Sequence, residues 1–205
     1  MKTRFITLCI SVILLIGSVG ASIADSLSDA VDAYNAFDAY NAGEYQTAAR
    51  ILTPLAKQGY AEAQYYLGVM YDNGFGVPQD YQTAVKWWTR AAEQGLAVAQ
   101  NYLGLMYSEG HGVPQDYQMA VKWWTIAAEQ GLAVAQNNLG FMYHTGDGVP
   151  QDDVYAHMWY NISAYNGDIK ASENRDLIAK RMTPSQIEKA QTLAHACVSK
   201  EYKDC

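Results

Sequence analysis

Few residues in this chain could do chemistry, and those few are scattered. Four histidines, His111, His144, His157 and His195, are the side chains that would ordinarily titrate near neutrality. None has companions at metal-ligand spacing: His144 and Asp147 share a loop, but no third ligand accompanies them, so no metal is expected. Gly74-Phe75-Gly76 and its copies have the glycine density of a phosphate loop. No predicted strand precedes them, however, and neither a third glycine nor Gly-Lys-Ser/Thr follows. The chain lacks a Gly-x-Ser-x-Gly nucleophile elbow, and its acids are dispersed over solvent faces without forming a general acid/base pair. Asn161-Ile162-Ser163 matches a glycosylation acceptor but falls in a predicted helix. The expectation is therefore no catalytic residue and no cofactor.

The ends of the chain say where it works. Lys2 and Arg4 precede a mostly apolar run from Phe5 to Val19, and Ser22-Ile23-Ala24 offers small side chains where a signal peptidase reads. Residues 1–24 thus read as a secretory signal peptide, with Asp25 as the new N-terminus and a periplasmic or secreted destination. The rival reading is an uncleaved membrane anchor; it ranks second because the apolar run is shorter than the ~20 residues a spanning helix needs, and no later segment is expected to span a membrane after cleavage. Cys9 lies inside the leader, leaving Cys197 and Cys205, a pair expected to form a disulfide in an exported chain. Their spacing is not the C-x-x-C of a redox site. Without its leader the chain has 12 basic and 21 acidic residues. Residues 25–169 hold 5 and 16 of these, and residues 170–205 hold 7 and 5. An acidic body of this kind excludes nucleic acid and anionic lipid as electrostatic partners.

The elements that carry these residues repeat. Gly76 to Gln100 recurs at Gly112 to Gln136 with an offset of 36, and only Thr83/Met119 and Arg90/Ile126 differ among the 25 positions. Gly68, Gly104 and Gly140 keep that spacing, as do Pro78, Pro114 and Pro150, and Trp87, Trp123 and Trp159. A period of this length marks stacked helical repeats. Half of the residues are apolar, with 16 Tyr and 5 Trp, enough to give the repeats a packed interior.

Within one unit, Ala63, Tyr66, Leu67, Met70 and Tyr71 recur at helical steps and predict a first helix from Ala61 to about Asn73. Glycines at 74 and 76 end it, and Asp80 is placed to cap a second helix. That helix carries an apolar stripe of Tyr81, Ala84, Val85, Trp88, Ala91 and Ala92, and Gly95 sits where a left-handed cap belongs. Trp87 widens the stripe, so the helix needs neighbours on two sides and its tryptophans read as core. Gly68, in mid-helix, predicts close backbone approach between paired helices. The units run over residues 60–95, 96–131 and 132–167, preceded by a degenerate unit at about 30–59. Residues 168–205 predict two capping helices and a tail. The first runs from Asp168 to Arg181; the second starts at Thr183-Pro184-Ser185-Gln186 and buries Ile187, Ala190, Ala194, Cys197 and Val198. Arg175-Asp176 stands where a repeat would carry Leu-Gly, which suits a polar cap over the last open core face.

Leu67-Gly68, Tyr71, Gly74, Gly76-Val77, Asp80, Ala84, Trp87, Ala91-Ala92 and Gly95, with their equivalents at +36, resemble the SEL-one-like repeat family, whose α/α repeats are related to tetratricopeptide repeats. Ser163-Ala164 departs from the Ala-Ala pair. The resemblance implies an all-α fold, a right-handed α/α superhelical solenoid of about four helix pairs over residues 25–167 with a C-terminal helical cap. It also implies a non-catalytic adaptor or scaffold of the bacterial cell envelope that binds proteins or peptides. A cysteine-rich branch of the family is associated with penicillin binding and β-lactamase activity, but this chain has no cysteine in its repeats. A purely structural envelope component is the third possibility.

In such solenoids the outer face of each first helix lines a concave groove. Here that face carries Glu62, Tyr65, Val69 and Asp72, then Val98, Asn101, Leu105 and Ser108, then Val134, Asn137, Phe141 and His144. Exposed Val69, Leu105 and Phe141 beside Tyr65, Asn101 and Asn137 would form a strip of apolar anchors and amides suited to a peptide or helix.

Overall fold

The computed structural model describes residues 23–203 and 205. The expected signal segment lies almost wholly outside them. Among the described residues ten helices follow one another: α1 (Ile23–Asn41), α2 (Tyr45–Gln58), α3 (Ala61–Asn73), α4 (Tyr81–Glu93), α5 (Ala97–Glu109), α6 (Tyr117–Ala128), α7 (Ala133–Thr145), α8 (Asp153–Tyr165), α9 (Ile169–Ala179) and α10 (Pro184–Ser199). No strand occurs among the described residues. The chain forms two compact units that divide within α4, one ending at Trp87 and the other running from Trp88 to Cys205.

In the first unit α2 packs on both α1 and α3. Its interior holds Ala36, Ala48, Leu52, Leu55, Leu67 and Met70. Tyr45 stacks on Phe75 with ring centroids 4.5 Å apart, so the glycine-rich loop after α3 returns onto the start of α2. Gly76 lies directly against the Tyr45 backbone, where any Cβ would collide, and its φ of +68° also favours glycine.

In the second unit consecutive helices pack pairwise from α5 to α9, and α10 lies on α8. The second helices α6 and α8 start on aspartate caps, whereas α5 and α7 start after Leu96 and Leu132 without a side-chain cap. Asp116 Oδ1 accepts from Met119 N at 3.0 Å, and Asp152 Oδ1 accepts from Val154 N at 2.8 Å. The glycine-rich loops α5–α6 and α7–α8 are each fastened by a glutamine: Gln115 Nε2 donates to Ser108 O at 2.8 Å, and Gln151 Nε2 to His144 O at 2.7 Å.

The repeat signature thus serves packing. Gly104 and Gly140 are buried because aromatic rings occupy the space a side chain would take. A Cβ on Gly104 would meet the Trp124 indole at 2.5–2.7 Å; on Gly140 it would meet the Tyr160 ring at 2.8–2.9 Å. The close approach expected between backbones is therefore mainly one of ring to backbone, although the Ala156 carbonyl also comes within 3.2 Å of the Gly140 position. Trp88, Trp124 and Trp159 are buried, as core residues should be. Trp87 and Trp123 are only half-buried.

Buried glutamines join successive repeats. Gln100 and Gln136 donate Nε2 to the carbonyls of Ala92 and Ala128, eight residues back, at 3.1 Å each. Each of these carbonyls lies at a helix end and also accepts from the capping glycine, Ala92 O from Gly95 N at 3.0 Å and Ala128 O from Gly131 N at 2.9 Å. The amide oxygens in turn accept from Gln130 Nε2 at 2.7 Å and Asn166 Nδ2 at 2.9 Å. Gln64 repeats the first bond in the other unit, donating to Ala56 O at 3.0 Å.

The C-terminal helices cover α8. At the positions where α4 carries Gln82 and Lys86, and α6 carries Gln118 and Lys122, α8 carries Val154 and Met158. Both are buried, Val154 in a cluster with Ile178, Met182 and Ala190, and Met158 in one with Ala194 and Cys197. The capping contact is thus apolar, and Arg175 sits at its edge. Its guanidinium holds Asp176 Oδ1 at 2.8–2.9 Å and reaches Asn161 Oδ1 at 3.4 Å. The expected helix from Asp168 to Arg181 is shorter at both ends, because Asp168 serves as its cap and accepts from Lys170 N at 2.9 Å. Thr183 and Gln186 form a reciprocal capping box at the start of α10. Cys197 and Cys205 are joined by a disulfide, with Sγ atoms 2.02 Å apart.

Candidate functional site

The twelve residues expected to face a partner differ in what they present. In the first unit, α3 exposes Glu62 and leaves Tyr65 and Asp72 half-buried. Val69, expected to be exposed, is 8% exposed and belongs to the interior. In the second unit, Leu105 on α5 is half-buried and packs against the α6–α8 core, which corrects the expectation of an exposed anchor. Val98, Asn101 and Ser108 are half-buried, and Ser108 Oγ donates to Leu105 O at 2.8 Å. On α7 the surface opens: Val134 is 42% exposed and Phe141 51%.

The amides on this face are partly committed. Asn138 Nδ2 donates to Asn101 Oδ1 at 3.1 Å, and Asn174 Nδ2 donates to Asn137 Oδ1 at 3.0 Å. Successive first helices α5, α7 and α9 are thereby linked by a ladder of asparagines 37 residues apart. Trp124 Nε1 adds a bond of 3.2 Å to Asn101 O. What Asn101 and Asn137 retain for a partner is the Nδ2 donor of each. His144 does not pair with Asp147, its loop neighbour. Its Nδ1 lies 3.4 Å from Asp153 Oδ1, and Arg181 Nε holds the other oxygen of Asp153 at 3.0 Å.

Leu177, on α9, lies 36 residues beyond Phe141 and is 63% exposed. It was missed because the loss of Leu-Gly at Arg175-Asp176 hides the register of the last unit; counting +36 from Phe141 would have found it. The same count places Lys170, Glu173 and Lys180 beside it, so the strip gains charge as it leaves the repeats. The histidines form no site. His157 is 3% exposed, and burial lowers its affinity for a proton, with the Arg175 charge acting in the same direction and Asp176 opposing it. No group of three or more metal-ligating side chains is found among the described residues.

Paired helices at a 36-residue offset, with ring-against-glycine packing inside and a semi-apolar first-helix face outside, define an α/α repeat protein. The chain belongs to the Sel1 repeat family, which matches it at residues 61–96, 97–132 and 133–168. It is similar to a Sel1 repeat protein from Oxalobacter formigenes, with 29% identity, 80% of this chain and 74% of that one covered, and a TM-score of 0.63. It is also similar to a protective antigen present in uropathogenic Escherichia coli strains that displays an SLR fold. There the identity is 30% and the TM-score 0.50, with 76% of this chain and 42% of that one covered. No curated protein matches. Sel1 repeat proteins are generally scaffolds for protein–protein interaction, and the all-helical fold is typically non-catalytic.

Proposed function

We propose that this chain is an exported, non-catalytic interaction module of the bacterial cell envelope that holds a protein or peptide on its first-helix face. The observation that carries the reading is the pair Phe141 and Leu177, large apolar side chains 51% and 63% exposed at equivalent positions of successive first helices. Apolar side chains of this size, repeated in register on the surface of a folded chain, mark a contact surface. Val134 extends the strip, and the Nδ2 groups of Asn101 and Asn137 supply donors for a peptide backbone. In the first unit, Glu62, Tyr65 and Asp72 are the contact residues, and Val69 is buried.

Export is part of the same proposal. The basic start, the apolar run and the small residues before Asp25 support it, as does the bonded cysteine pair. No helix among the described residues is long and apolar enough to cross a membrane. The proposal is tested by isolating the partner from envelope extract with tagged mature chain and measuring its affinity for Phe141→Ser, Leu177→Ser and the double variant. A tenfold or greater loss in the double variant supports the reading. Unchanged affinity, with unchanged helicity, would favour a purely structural envelope role. Recovery of a mature N-terminus at Asp25 supports export, and an intact Met1 in the envelope fraction contradicts it.

A further inference from the structure

The C-terminal tail docks a tyrosine onto the repeat array, and the stack repeats that docking place. The tail turns back through Glu201 and Tyr202, with φ of +54° and +67°, a conformation non-glycine residues rarely adopt. The Cys197–Cys205 bridge closes around them. Tyr202 is thereby laid on Gly131, its ring 3.1 Å from where a Cβ would stand, and its hydroxyl donates to Asn166 Oδ1 at 3.0 Å. Asn166 in turn donates Nδ2 to the oxygen of Gln136, which is fully buried. The niche thus consists of a glycine floor, an amide oxygen at its edge and a buried glutamine that holds the amide in place.

Thirty-six residues earlier the same parts stand uncovered. Gly95 corresponds to Gly131, Gln130 to Asn166 and Gln100 to Gln136. Gln130 Nε2 donates to Gln100 Oε1 at 2.7 Å, which leaves Gln130 Oε1 as an acceptor. Nothing lies within 4 Å of a Cβ on Gly95. Gly95 and Gln130 are both exposed, whereas Gly131 and Asn166 are half-buried under the tail. We infer that Gly95 and Gln130 form a docking niche for a tyrosine side chain presented by a partner protein, with the ring on Gly95 and the hydroxyl donating to Gln130 Oε1. The chain's own tail is closed onto α10 by the disulfide and seated on Gly131 and Asn166 through Tyr202, so the occupant comes from another molecule. The niche uses none of the first-helix residues assigned to the partner strip, and it stands or falls independently of them.

The test uses ¹⁵N-labelled mature chain and, as probe, the disulfide-closed nonapeptide with the tail sequence Cys197–Cys205. Saturable amide shifts at Gly95, Leu96 and Gln130 are expected. Tyr202→Phe in the peptide should weaken binding at least fivefold, since the ring remains and the hydroxyl is lost. Gln130→Ala in the chain should have a similar effect. Gln130→Asn, which copies the occupied niche, should bind at least as tightly as the unchanged chain. The inference is overturned by an absence of shifts around Gly95, by shifts confined to Gly131 and Asn166 through displacement of the chain's own tail, or by binding indifferent to the hydroxyl.

Discussion

Replacing Gly104 with alanine tests the packing of the repeats in the place where two effects oppose each other. In a helix interior the exchange gains about 1 kcal/mol from propensity alone. In this fold the new methyl would stand 2.5–2.7 Å from Nε1, Cδ1 and Cε2 of Trp124. That indole is 4% exposed and rigid, so the whole ring has to move. Overfilling a packed interior costs about 1–3 kcal/mol. Moving the ring also breaks its 3.2 Å bond to Asn101 O, and a buried donor left unpaired costs about 1–3 kcal/mol more. The net is a destabilisation of about 1–5 kcal/mol. Thermal unfolding followed by circular dichroism should show Tm falling by at least about 2 °C. Gly95→Ala provides the contrast: it has open space and suffers only from its φ of +93°, a cost of about 1 kcal/mol. In a Trp124→Phe background the penalty at Gly104 should shrink by about 1–3 kcal/mol, because the pair is in contact. A Gly104→Ala variant that melts higher than the unchanged chain would refute the reasoning, since that is the behaviour of an uncrowded helix glycine.

Gln136→Leu removes both bonds of a fully buried amide, leaving Asn166 Nδ2 without its acceptor and the Ala128 carbonyl with only its bond from Gly131 N, so urea unfolding should show a loss of about 1–3 kcal/mol. His157 is pushed below its ordinary value by burial first, so the unfolded chain takes up its proton before the folded one does. Stability is therefore complete above the unfolded value of about 6.5 and declines as pH falls through it. His157→Val copies Val85 and Val121 and also removes an unpaired buried Nδ1; its urea midpoint should be higher and flatter between pH 7.5 and 5.5. Replacing Cys197 and Cys205 with serine frees the tail at an entropic cost of about 2–3 kcal/mol. Hydrogen exchange should then lose protection at Lys200 and Tyr202, whose amides bond to Cys197 O; unchanged protection would mean that Tyr202 holds the tail unaided.

The helices, their caps and the buried tryptophan positions are legible in the sequence because each depends on local spacing. Asp80, Asp116, Asp152 and Thr183 announce the helix starts they cap, and the 36-residue count fixes which rings meet Gly104 and Gly140. The surface is less legible, because exposure depends on what a neighbouring helix covers. Val69, Leu105, Phe141 and Leu177 hold one position in four helices yet pass from interior to solvent. The asparagine ladder and the Tyr202 hook are also beyond local reading, since each joins residues 36 or 37 apart through side chains whose directions are set by packing. The exchange of Gln82 and Lys86 for Val154 and Met158 was visible and does report a covered face, that of α8 under the C-terminal helices.

The most direct test of the interaction role is site-specific photo-crosslinking in the producing cell. A benzophenone amino acid is placed at Phe141 or Leu177 on the first-helix face, or at exposed Lys122 on a second helix as the control. One discrete protein adduct is expected from positions 141 and 177, none from 122, and loss of the adduct when Val134→Asp is added. The same adducts from all three positions, or an adduct only from 122, would contradict the interaction role.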